Sequence, residues 1–494
     1  MSSFMLSLSS ILRRSIPPTV LSHARQTHVQ ILIHGLIHDA TLQTDLLLAY
    51  SKGSLLYARK VFDKMLERNM HSWNIMISGY VRKSMHRDAL SVFDEFLNSG
   101  LKPDHYTLPL VLKICAGIGD VLLGVMLHGM VVKLGFENCV VVSTSVLDFY
   151  SKCGKLNDAR IVFVGLSWKD SVVWNSMISG FAKAGLHLEA LDCFRNMLGN
   201  KAELDSMTVP TLLNVCGKLG DVTKGKEIHG QVLKNTVLHK DTAIGNSLID
   251  LYSKCGYLCD AEKIFLSLRN RNLVTWTTLI SCYGFHGNGK ESLRLFEKMK
   301  DSGFKPNSVT LTAILASCSH SGLIDQGKKI FNSIRSSYRF EPTVEHYACM
   351  VDLLSRFGWF NEAIVLIRSM KTVPPASVWG ALLAGSLVHR NVETGEMAAR
   401  HLFEIEPTNA SNYIALCGIY DSRGMWSDVS RVRSEMKRSG FGKTPGCSWI
   451  SIGGEIRTFY QGDFHSSLGH KINETFEGII GTLLLVHSEI HIDF

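Results

Sequence analysis

The apolar residues between positions 171 and 205 recur with the spacing of a helix. The first apolar set is Trp174, Met177, Ile178 and Phe181. Their i, i+3, i+4, i+7 spacing places them on one face of a first helix. After Gly185 a second set follows with the same period: Ala190, Leu191, Phe194, Met197 and Leu198. Because nothing here alternates with the period of two typical of a strand, the segment is predicted to be a helical hairpin.

The same pattern returns along the chain at a long, nearly constant interval. Three similar phrases begin at Trp73, Trp174 and Trp276, which lie 101 and 102 residues apart. A second phrase, Ala-x-x-x-Phe, ends at Phe62, Phe163 and Phe265 with the same two intervals. The chain is therefore a tandem array. A lone hairpin leaves apolar faces uncovered, so the hairpins are predicted to stack as an α-solenoid whose inner groove is lined by the first helices.

Each long period divides into units of three lengths. Units of 35 residues run from 70 to 104, 171 to 205 and 273 to 307; units of 35 or 36 from 105 to 139, 206 to 241 and 308 to 343; and units of 31 from 140 to 170 and 242 to 272. Short units at 40–69 and at 344 to about 375 flank this series. Tetratricopeptide arrays, which bind peptides, have a uniform period of about 34, so the mixed lengths argue against them.

The three lengths, together with recurring phrases, carry a specific resemblance. Tyr-Ser-Lys-Cys-Gly begins at Tyr150 and again at Tyr252, and Trp-Asn-x-Met-Ile-Ser-Gly begins at Trp73 and Trp174. These features resemble the P, L and S units of the PLS subclass of plant organellar pentatricopeptide repeat proteins. The resemblance implies an all-α fold, a right-handed α-solenoid superhelix of helix-turn-helix hairpins, with the array at residues 26–375. It also implies a single-stranded RNA partner.

Composition and charge fit that class without establishing it. The chain is 46% hydrophobic and 19% charged, and its net charge of +8 suits a polyanionic partner but is modest for 494 residues. No uninterrupted apolar stretch approaches the roughly 18 residues of a membrane span, so no membrane association is expected. The twelve cysteines include no Cys-x-x-Cys pair. They are predicted to be reduced core residues, and Cys255 with Cys259 is not expected to bind zinc.

The N-terminal segment has the composition of a targeting peptide. The first 38 residues contain no Asp or Glu, and they carry Arg13, Arg14 and Arg25 among many Ser and Leu residues. Residues 1–25 are therefore predicted to be an organellar transit peptide. The predicted destination is the mitochondrion, with the chloroplast as the alternative.

The resemblance assigns base recognition to the fifth and the last residue of a unit. Six units carry pairs of the family type: Thr44 with Asn69, Asn74 with Asp104, Thr144 with Asp170, Asn175 with Asp205, Asn246 with Asn272, and Thr277 with Asn307. An Asp carboxylate can only accept, which suits the ring N–H of guanine or uracil; an Asn amide also donates, which suits adenine or cytosine. By the family rule Thr selects a purine and Asn a pyrimidine. The six units then read A, U, G, U, C or U, and A.

The same side chains have a purely structural interpretation. Asn and Asp at helix ends are often N-caps and turn formers. Their recurrence at two fixed positions of the unit favours base recognition. Pro109 and Pro210 at the fifth position, and Ala348 with Pro375 in the final short unit, leave those units unread. Stacking on apolar side chains and phosphate contacts by Lys and Arg are expected to add affinity.

The region after the array resembles the C-terminal extensions of editing-type members. Residues 376–452 resemble the E extension, on the phrases beginning at Trp379 and ending at Ile450; residues 453–486, with Gly462-Asp463, resemble a degenerate E+ segment, and 487–494 form a tail. Such extensions imply C-to-U editing of organellar transcripts. The expected partners are a DYW-type cytidine deaminase acting in trans and multiple organellar RNA editing factor proteins. The alternative is RNA stabilisation, processing or splicing without editing.

No catalytic constellation accompanies these features. A cytidine deaminase needs His-x-Glu followed by Pro-Cys-x-x-Cys to hold zinc, and His487-Ser488-Glu489 is followed by no cysteine. The same tripeptide pattern occurs by chance at His187-Leu188-Glu189 inside a repeat. Walker, dinucleotide-binding and Gly-x-Ser-x-Gly motifs are also absent. The chain is therefore predicted to be a recognition factor rather than an enzyme, with no cofactor and no metal.

Overall fold

The computed structural model describes residues 2–14, 20–438, 447–452 and 455–460. Contacts divide the chain into two compact units, Met1–Val215 and Cys216–Phe494. The described part of each is built almost wholly from consecutive helical hairpins, in which odd-numbered helices come first and even-numbered helices second. The predicted all-α fold of stacked helical hairpins is confirmed.

The described residues of the first unit form six pairs of consecutive helices before α13 (Thr208–Leu219). Its helices are α1 (Ser2–Arg14), α2 (Val20–Ile33), α3 (Ala40–Gly53), α4 (Leu55–Lys64), α5 (Met70–Arg82), α6 (His86–Asn98), α7 (Thr107–Ile118), α8 (Val121–Lys133), α9 (Val140–Lys152), α10 (Leu156–Gly165), α11 (Ser171–Lys183) and α12 (His187–Gly199). The boundary between the two units falls inside α13 (Thr208–Leu219).

The described part of the second unit continues the same architecture, and its last described elements are two short strands. Its helices are α14 (Val222–Lys234), α15 (Thr242–Lys254), α16 (Leu258–Ser267), α17 (Leu273–Phe285), α18 (Gly289–Asp301), α19 (Ser308–Ser321), α20 (Ile324–Ser336), α21 (Val344–Arg356), α22 (Phe360–Arg368), α23 (Ala376–Val388), α24 (Val392–Ile405), α25 (Ala410–Asp421) and α26 (Trp426–Arg438). A 3₁₀ turn at Leu238–Lys240 precedes α15. Strands β1 (Cys447–Ile452) and β2 (Glu455–Tyr460) pair antiparallel.

The two recurring phrases of the sequence meet in the core. The Phe that ends Ala-x-x-x-Phe lies on a second helix, and its ring meets edge-on the Trp that is the fourth residue of the next first helix. The centroid distances are 4.8 Å for Phe62–Trp73, 4.9 Å for Phe163–Trp174 and 4.9 Å for Phe265–Trp276. Since aromatic pairs in this edge-to-face geometry add to simple burial, the 101–102 residue period reflects one repeated packing contact.

A second repeated contact joins the longer units to the short units that follow them. A His on the second helix pairs with the hydroxyl of a Tyr on the next first helix: His28 with Tyr50 at 3.1 Å, His128 with Tyr150 at 2.9 Å, and His229 with Tyr252 at 2.8 Å. The first pair is a contact between α2 and α3, and both α1 and α2 pack against α3. The predicted transit-peptide boundary at residue 25 falls inside α2, and the targeting role of residues 1–25 stays a prediction.

These His–Tyr pairs predict a pH-dependent stability. Burial lowers the pKa of His28, His128 and His229 below the ordinary value of about 6.5. Because the pKa is lower in the folded state, the neutral histidines contribute their full stabilisation above a pH of about 6.5. That contribution is lost as the pH falls through the lowered pKa of the folded protein. We therefore expect the unfolding temperature to drop between pH 7.5 and 5.5. A variant with Gln at all three positions, which can still accept from Tyr, should show a smaller drop; an equal drop would contradict the assignment.

The segment predicted as an E extension continues the hairpin architecture. Its residues 376–438 form α23 to α26, and β1 and β2 lie on opposite sides of the predicted boundary at residue 452. The strands are a departure from the all-helical expectation for this region. Gly462-Asp463, the rest of the predicted E+ segment, the tail and His487-Ser488-Glu489 lie outside the described residues. None of the described helices combines the length and apolarity that crossing a bilayer requires.

The described cysteines are fully or partly buried, as predicted, with the exception of Cys259, which is exposed. The eleven whose side chains the structure describes form no disulfide, and six of them are buried. Burial raises the pKa of the Cys115, Cys216 and Cys318 thiols to about 12, so these side chains behave as small apolar groups. Cys255 and Cys259 lie at the end of α15 and the start of α16, and no three His, Cys, Asp or Glu side chains within the described ranges converge as a metal site.

Candidate RNA-recognition interface

The first helices place the fifth and last residues of a unit together. The fifth residue lies one turn into a first helix. The last residue lies just before the next first helix, at a distance of three residues for Asp104 and Asp205. Consecutive first helices such as α5 and α7 pack against each other. In the unit 70–104, Asn74 Nδ2 donates to Asp104 Oδ1 at 3.4 Å. In the unit 171–205, Asn175 Nδ2 donates to Asp205 Oδ2 at 2.6 Å. Two of the six predicted pairs are thus in direct contact.

The last residues also cap the following helices. Asn69, Asp170, Asn272 and Asn307 each accept, through Oδ1, the backbone N–H of the residue three positions later, at 2.8 to 3.0 Å. These residues therefore do act as N-caps, the structural role that the sequence also allowed. It does not compete with base recognition, because capping occupies one oxygen and leaves the second oxygen or the amide group of the same side chain for another partner.

The two terminal carboxylates that touch an Asn are held in their charged form. Partial burial disfavours the charge on Asp104, but hydrogen bonds from the backbone N–H and hydroxyl of Thr107 outweigh it, and the pKa of Asp104 lies below its ordinary value. Burial and the equivalent hydrogen bonds from Thr208 leave the pKa of Asp205 similarly lowered. At neutral pH both side chains can therefore only accept hydrogen bonds.

A buried threonine connects the fifth and last residues in all three 35-residue units. Thr107 Oγ1 lies 2.8 Å from both Asn74 Oδ1 and Asp104 Oδ1. Thr208 Oγ1 contacts Asn175 Oδ1 and lies 2.8 Å from Asp205 Oδ1. Thr310 Oγ1 lies 2.8 Å from Thr277 Oγ1 and 2.9 Å from Asn307 Oδ1. Sequence reasoning missed these residues. Their signal was a Thr at the third position of each unit of the second length class.

The pairs of the short units are arranged differently. Thr44 and Thr144 donate their hydroxyl to the backbone carbonyl four residues earlier, at 2.7 and 2.6 Å. Asn246 Oδ1 is buried and has no hydrogen-bond partner. Among the described contacts, no hydrogen bond joins Thr44 to Asn69, Thr144 to Asp170 or Asn246 to Asn272. In these units the structure places the two predicted residues on adjacent first helices without linking them.

Two cavities open at the fifth and last residues. One of about 650 Å³ is lined by Asn74 and Asp104, together with His71 and Tyr106. Another of about 520 Å³ is lined by Thr277 and Asn307, together with Val274 and Val309. In each, the second residue of the unit and the second residue of the next unit contribute to the wall.

These second residues keep apolar surface exposed. Tyr106, Val274 and Val309 have 64%, 57% and 64% of their surface accessible. The fourth residues of the same units are buried instead: Leu108, Trp276 and Leu311 have 0%, 3% and 0% of their surface accessible. Exposed apolar side chains beside a pair of polar groups can pack against the faces of a planar ring whose edge bonds to the polar groups. Stacking on apolar side chains was predicted from the sequence, but it was not assigned to the second residue of the unit.

A basic side chain recurs at the thirteenth residue of the units, near the end of the first helix. Arg82, Lys152 and Lys183 occupy this place on α5, α9 and α11, and all three are exposed. Lys152 forms a surface ion pair with Asp148 at 2.6 Å, which contributes little to stability and remains available for exchange. The same position carries Lys218, Lys254 and Arg356 on α13, α15 and α21.

Comparison with known families assigns the repeats. The family model described as PPR repeat family matches residues 68–117, 169–218 and 271–320, and the PPR repeat model matches 246–273, 309–338 and 345–373. A model described as the E motif matches residues 389–451, within the predicted extension. The mitochondrial Arabidopsis thaliana pentatricopeptide repeat-containing protein At3g26782 is 38% identical over 91% of this chain and 70% of its own length. The chain belongs to the pentatricopeptide repeat family.

Other members match over shorter parts of their own length. The chloroplastic Arabidopsis thaliana member At1g11290 is 36% identical over 93% of this pentatricopeptide repeat chain, which spans 57% of that relative. Maize PPR10, solved in complex with an 18-nt psaJ RNA element, superposes with a TM-score of 0.65 at 17% identity, covering 85% of this chain and 65% of that one. The latter likeness supports the solenoid fold. The family models that match this chain describe repeats and the E motif.

Proposed function

We propose that this pentatricopeptide repeat protein binds single-stranded RNA along its first helices and recognises a C-to-U editing site in an organellar transcript. The observation that carries the proposal is the repeated convergence of the fifth and last residues on a cavity walled by exposed apolar side chains. Such a cavity offers polar groups to the edge of a base and apolar groups to its faces. One unit would then read one base.

The polar groups of the contacting pairs match uracil. The Asp104 and Asp205 carboxylates accept, and each paired Asn keeps one amide hydrogen that its Asp does not use. Uracil presents a ring N–H beside a carbonyl oxygen, which complements this acceptor and donor. At Thr44, Thr144 and Thr277 the hydroxyl bonds back to its own helix, which leaves space for the larger purines. In this family the array runs parallel to the RNA, and the last short unit aligns about four nucleotides before the edited cytidine. With one nucleotide for each unit from 40–69 onward, the target reads 5′-A-U-N-G-U-N-Y-A-N-N-N-N-N-C-3′, with the last C edited.

The E motif and the relatives support editing in an organelle. The matched E motif lies at residues 389–451, and relatives carry chloroplastic or mitochondrial names. We place the protein in an organelle, with the mitochondrion as the first choice. Residues 376–480 would recruit a DYW-type cytidine deaminase and multiple organellar RNA editing factor proteins. Because the chain spans little more than half of some relatives, these partners are proposed for the residues present.

A single substitution tests the assignment of base-reading residues. Asp170→Asn keeps the helix cap, because Asn69 and Asn272 cap in the same way. It replaces an acceptor-only group with an amide, so the preference at the fourth nucleotide should change from G toward A. A change of about 1 kcal/mol corresponds to a several-fold change in affinity. The measurement is a gel shift with the 14-mer and its A4 version; identical G-over-A ratios for wild type and variant would show that the assignment is wrong.

Editing itself is tested in the organelle. Edited sites should be compared in plants with and without the protein. Loss of editing at a cytidine preceded by the predicted sequence supports the proposal. Unchanged editing accompanied by loss or misprocessing of a transcript would overturn the editing role and favour the alternative binding role.

A further inference from the structure

We infer that Thr107 and Thr208 are positioning residues that fix the orientation of the Asn amide in the two Asn–Asp units and thereby set the choice of uracil over cytosine. This inference rests on the proposed function. It goes beyond the two-residue rule, because each Thr belongs to the unit after the one whose base it would influence. Both side chains are essentially buried, at 0% and 1% exposure, so neither can reach a base directly.

The hydrogen-bond inventory allows one orientation of the amide. An Asn side chain can be turned so that its oxygen and nitrogen exchange places. With Asn175 Oδ1 toward the Thr208 hydroxyl and Nδ2 toward Asp205, every contact pairs a donor with an acceptor. After a turn, the amide oxygen would face the Asp205 carboxylate, and two acceptors would meet. The same donor and acceptor sequence holds for Asn74, Asp104 and Thr107.

The hydroxyl hydrogen serves both acceptors at once. Thr208 Oγ1 lies within hydrogen-bond distance of the Asn175 carbonyl oxygen and the Asp205 carboxylate, and it has a single hydrogen to place between them. Its backbone N–H donates to the same Asp205 oxygen at 2.8 Å. The threonine therefore occupies the acceptors of the pair that point into the protein. What remains for the base is the second amide N–H of Asn175 and the second lone pair of Asp205 Oδ2, whose first lone pair accepts from Asn175 Nδ2.

That remainder discriminates between the two pyrimidines. The uracil edge offers N3–H to the carboxylate and a carbonyl oxygen to the amide N–H. The cytosine edge offers an unprotonated N3, which would face the carboxylate acceptor to acceptor. A freely turning Asn could offer its oxygen to the cytosine amino group and so reduce the difference. Fixing the amide removes this second mode of binding.

The chain contains an Asn in the same place without this arrangement. Asn246 is the fifth residue of the unit 242–272, and its buried Oδ1 has no hydrogen-bond partner. The hydroxyl of Thr275, the third residue of the next unit, donates to Asn272 at 3.0 Å. No described contact fixes the orientation of the Asn246 amide, so the contacts of this unit do not favour uracil over cytosine. The family rule likewise assigns it either pyrimidine.

The test compares two RNAs on each protein. Fluorescence anisotropy is measured with the 14-mer carrying U or C at its fifth nucleotide, for wild type, Thr208→Val and Thr208→Ser. Thr208→Val keeps the shape and removes the hydroxyl, so the U-over-C ratio should fall roughly three- to tenfold, as expected for one hydrogen bond. Thr208→Ser retains the hydroxyl and should restore the ratio. Discrimination at the second nucleotide, read by Asn74 with Thr107, serves as the control and should not change.

The outcomes separate this inference from the proposed function. No RNA binding, or no U-over-C preference in wild type, would reject the proposed base reading. A wild-type preference that survives in Thr208→Val, even with weaker binding to both RNAs, would overturn the positioning role and leave the proposed function intact. If Thr208→Val does not fold, Thr107→Val with the U-to-C change at the second nucleotide gives the same decision.

Discussion

Replacing Gly124 by Ala should lower the free energy of unfolding by about 1–3 kcal/mol, the usual cost of overpacking a core. Gly124 is buried on α8, where a Cβ would overlap the ring of Phe149 on the neighbouring first helix; even the third nearest ring atom would lie only 2.7 Å away. Phe149 is fully buried, so its ring cannot swing into solvent. The added methyl group must therefore displace one helix from the other.

Gly129 provides the control on the same helix. A Cβ at Gly129 would meet no atom within 4 Å, so alanine there gains only helix propensity, up to about 1 kcal/mol. The two variants carry the same chemical change and should differ in sign. Unfolding in urea, followed by circular dichroism, measures both. If Gly124→Ala were as stable as Gly129→Ala, that result would contradict the inference that α8 packs too closely against α9 to accept a methyl group at residue 124.

The positions of the hairpins were predictable because the hydrophobic period is long and regular. The first helices α5, α11 and α17 begin at residues 70, 171 and 273, where the predicted units begin. The N-terminal hairpin was not predicted as structure, because its acid-free composition resembles a targeting peptide. A signal was present: His28 precedes Tyr50 by 22 residues, the same spacing as His128 and Tyr150.

The strands also had a signal that the resemblance obscured. Two six-residue segments, Cys447–Ile452 and Glu455–Tyr460, flank Gly453-Gly454. A Gly-Gly pair between two short apolar runs is a hairpin signature. The predicted boundary between the E extension and the E+ segment was instead placed at residue 452, between the two strands.

The candidate interface was predictable only in part, since its chemistry crosses unit boundaries. The fifth and last residues were found because they recur within one unit. The bridging threonines belong to the following unit, and their role depends on distances between two first helices. Thr107 in the first turn of a helix resembles an ordinary capping residue until the positions of Asn74 and Asp104 are known. Spacing alone does not show which of these oxygens and nitrogens face each other.

The exposed basic residues at the thirteenth position are expected to supply much of the RNA affinity. Each phosphate contact to a single strand contributes about 0.7 to the slope of log K against log salt. Replacing Arg82, Lys152 and Lys183 by Ala should therefore reduce that slope by about 2 and weaken binding tenfold or more at low salt. The base preferences should remain, because phosphate contacts carry little sequence information.

A matched variant separates location from total charge. Arg160, Lys60 and Lys133 are exposed residues on the second helices α10, α4 and α8, and replacing them by Ala removes the same three charges. Anisotropy titrations from low to high salt should show a reduced slope only for the first-helix variant, and its binding curve should approach that of wild type as salt rises. If both variants lost the same slope, binding would follow net charge alone, and the RNA path along the first helices would be wrong.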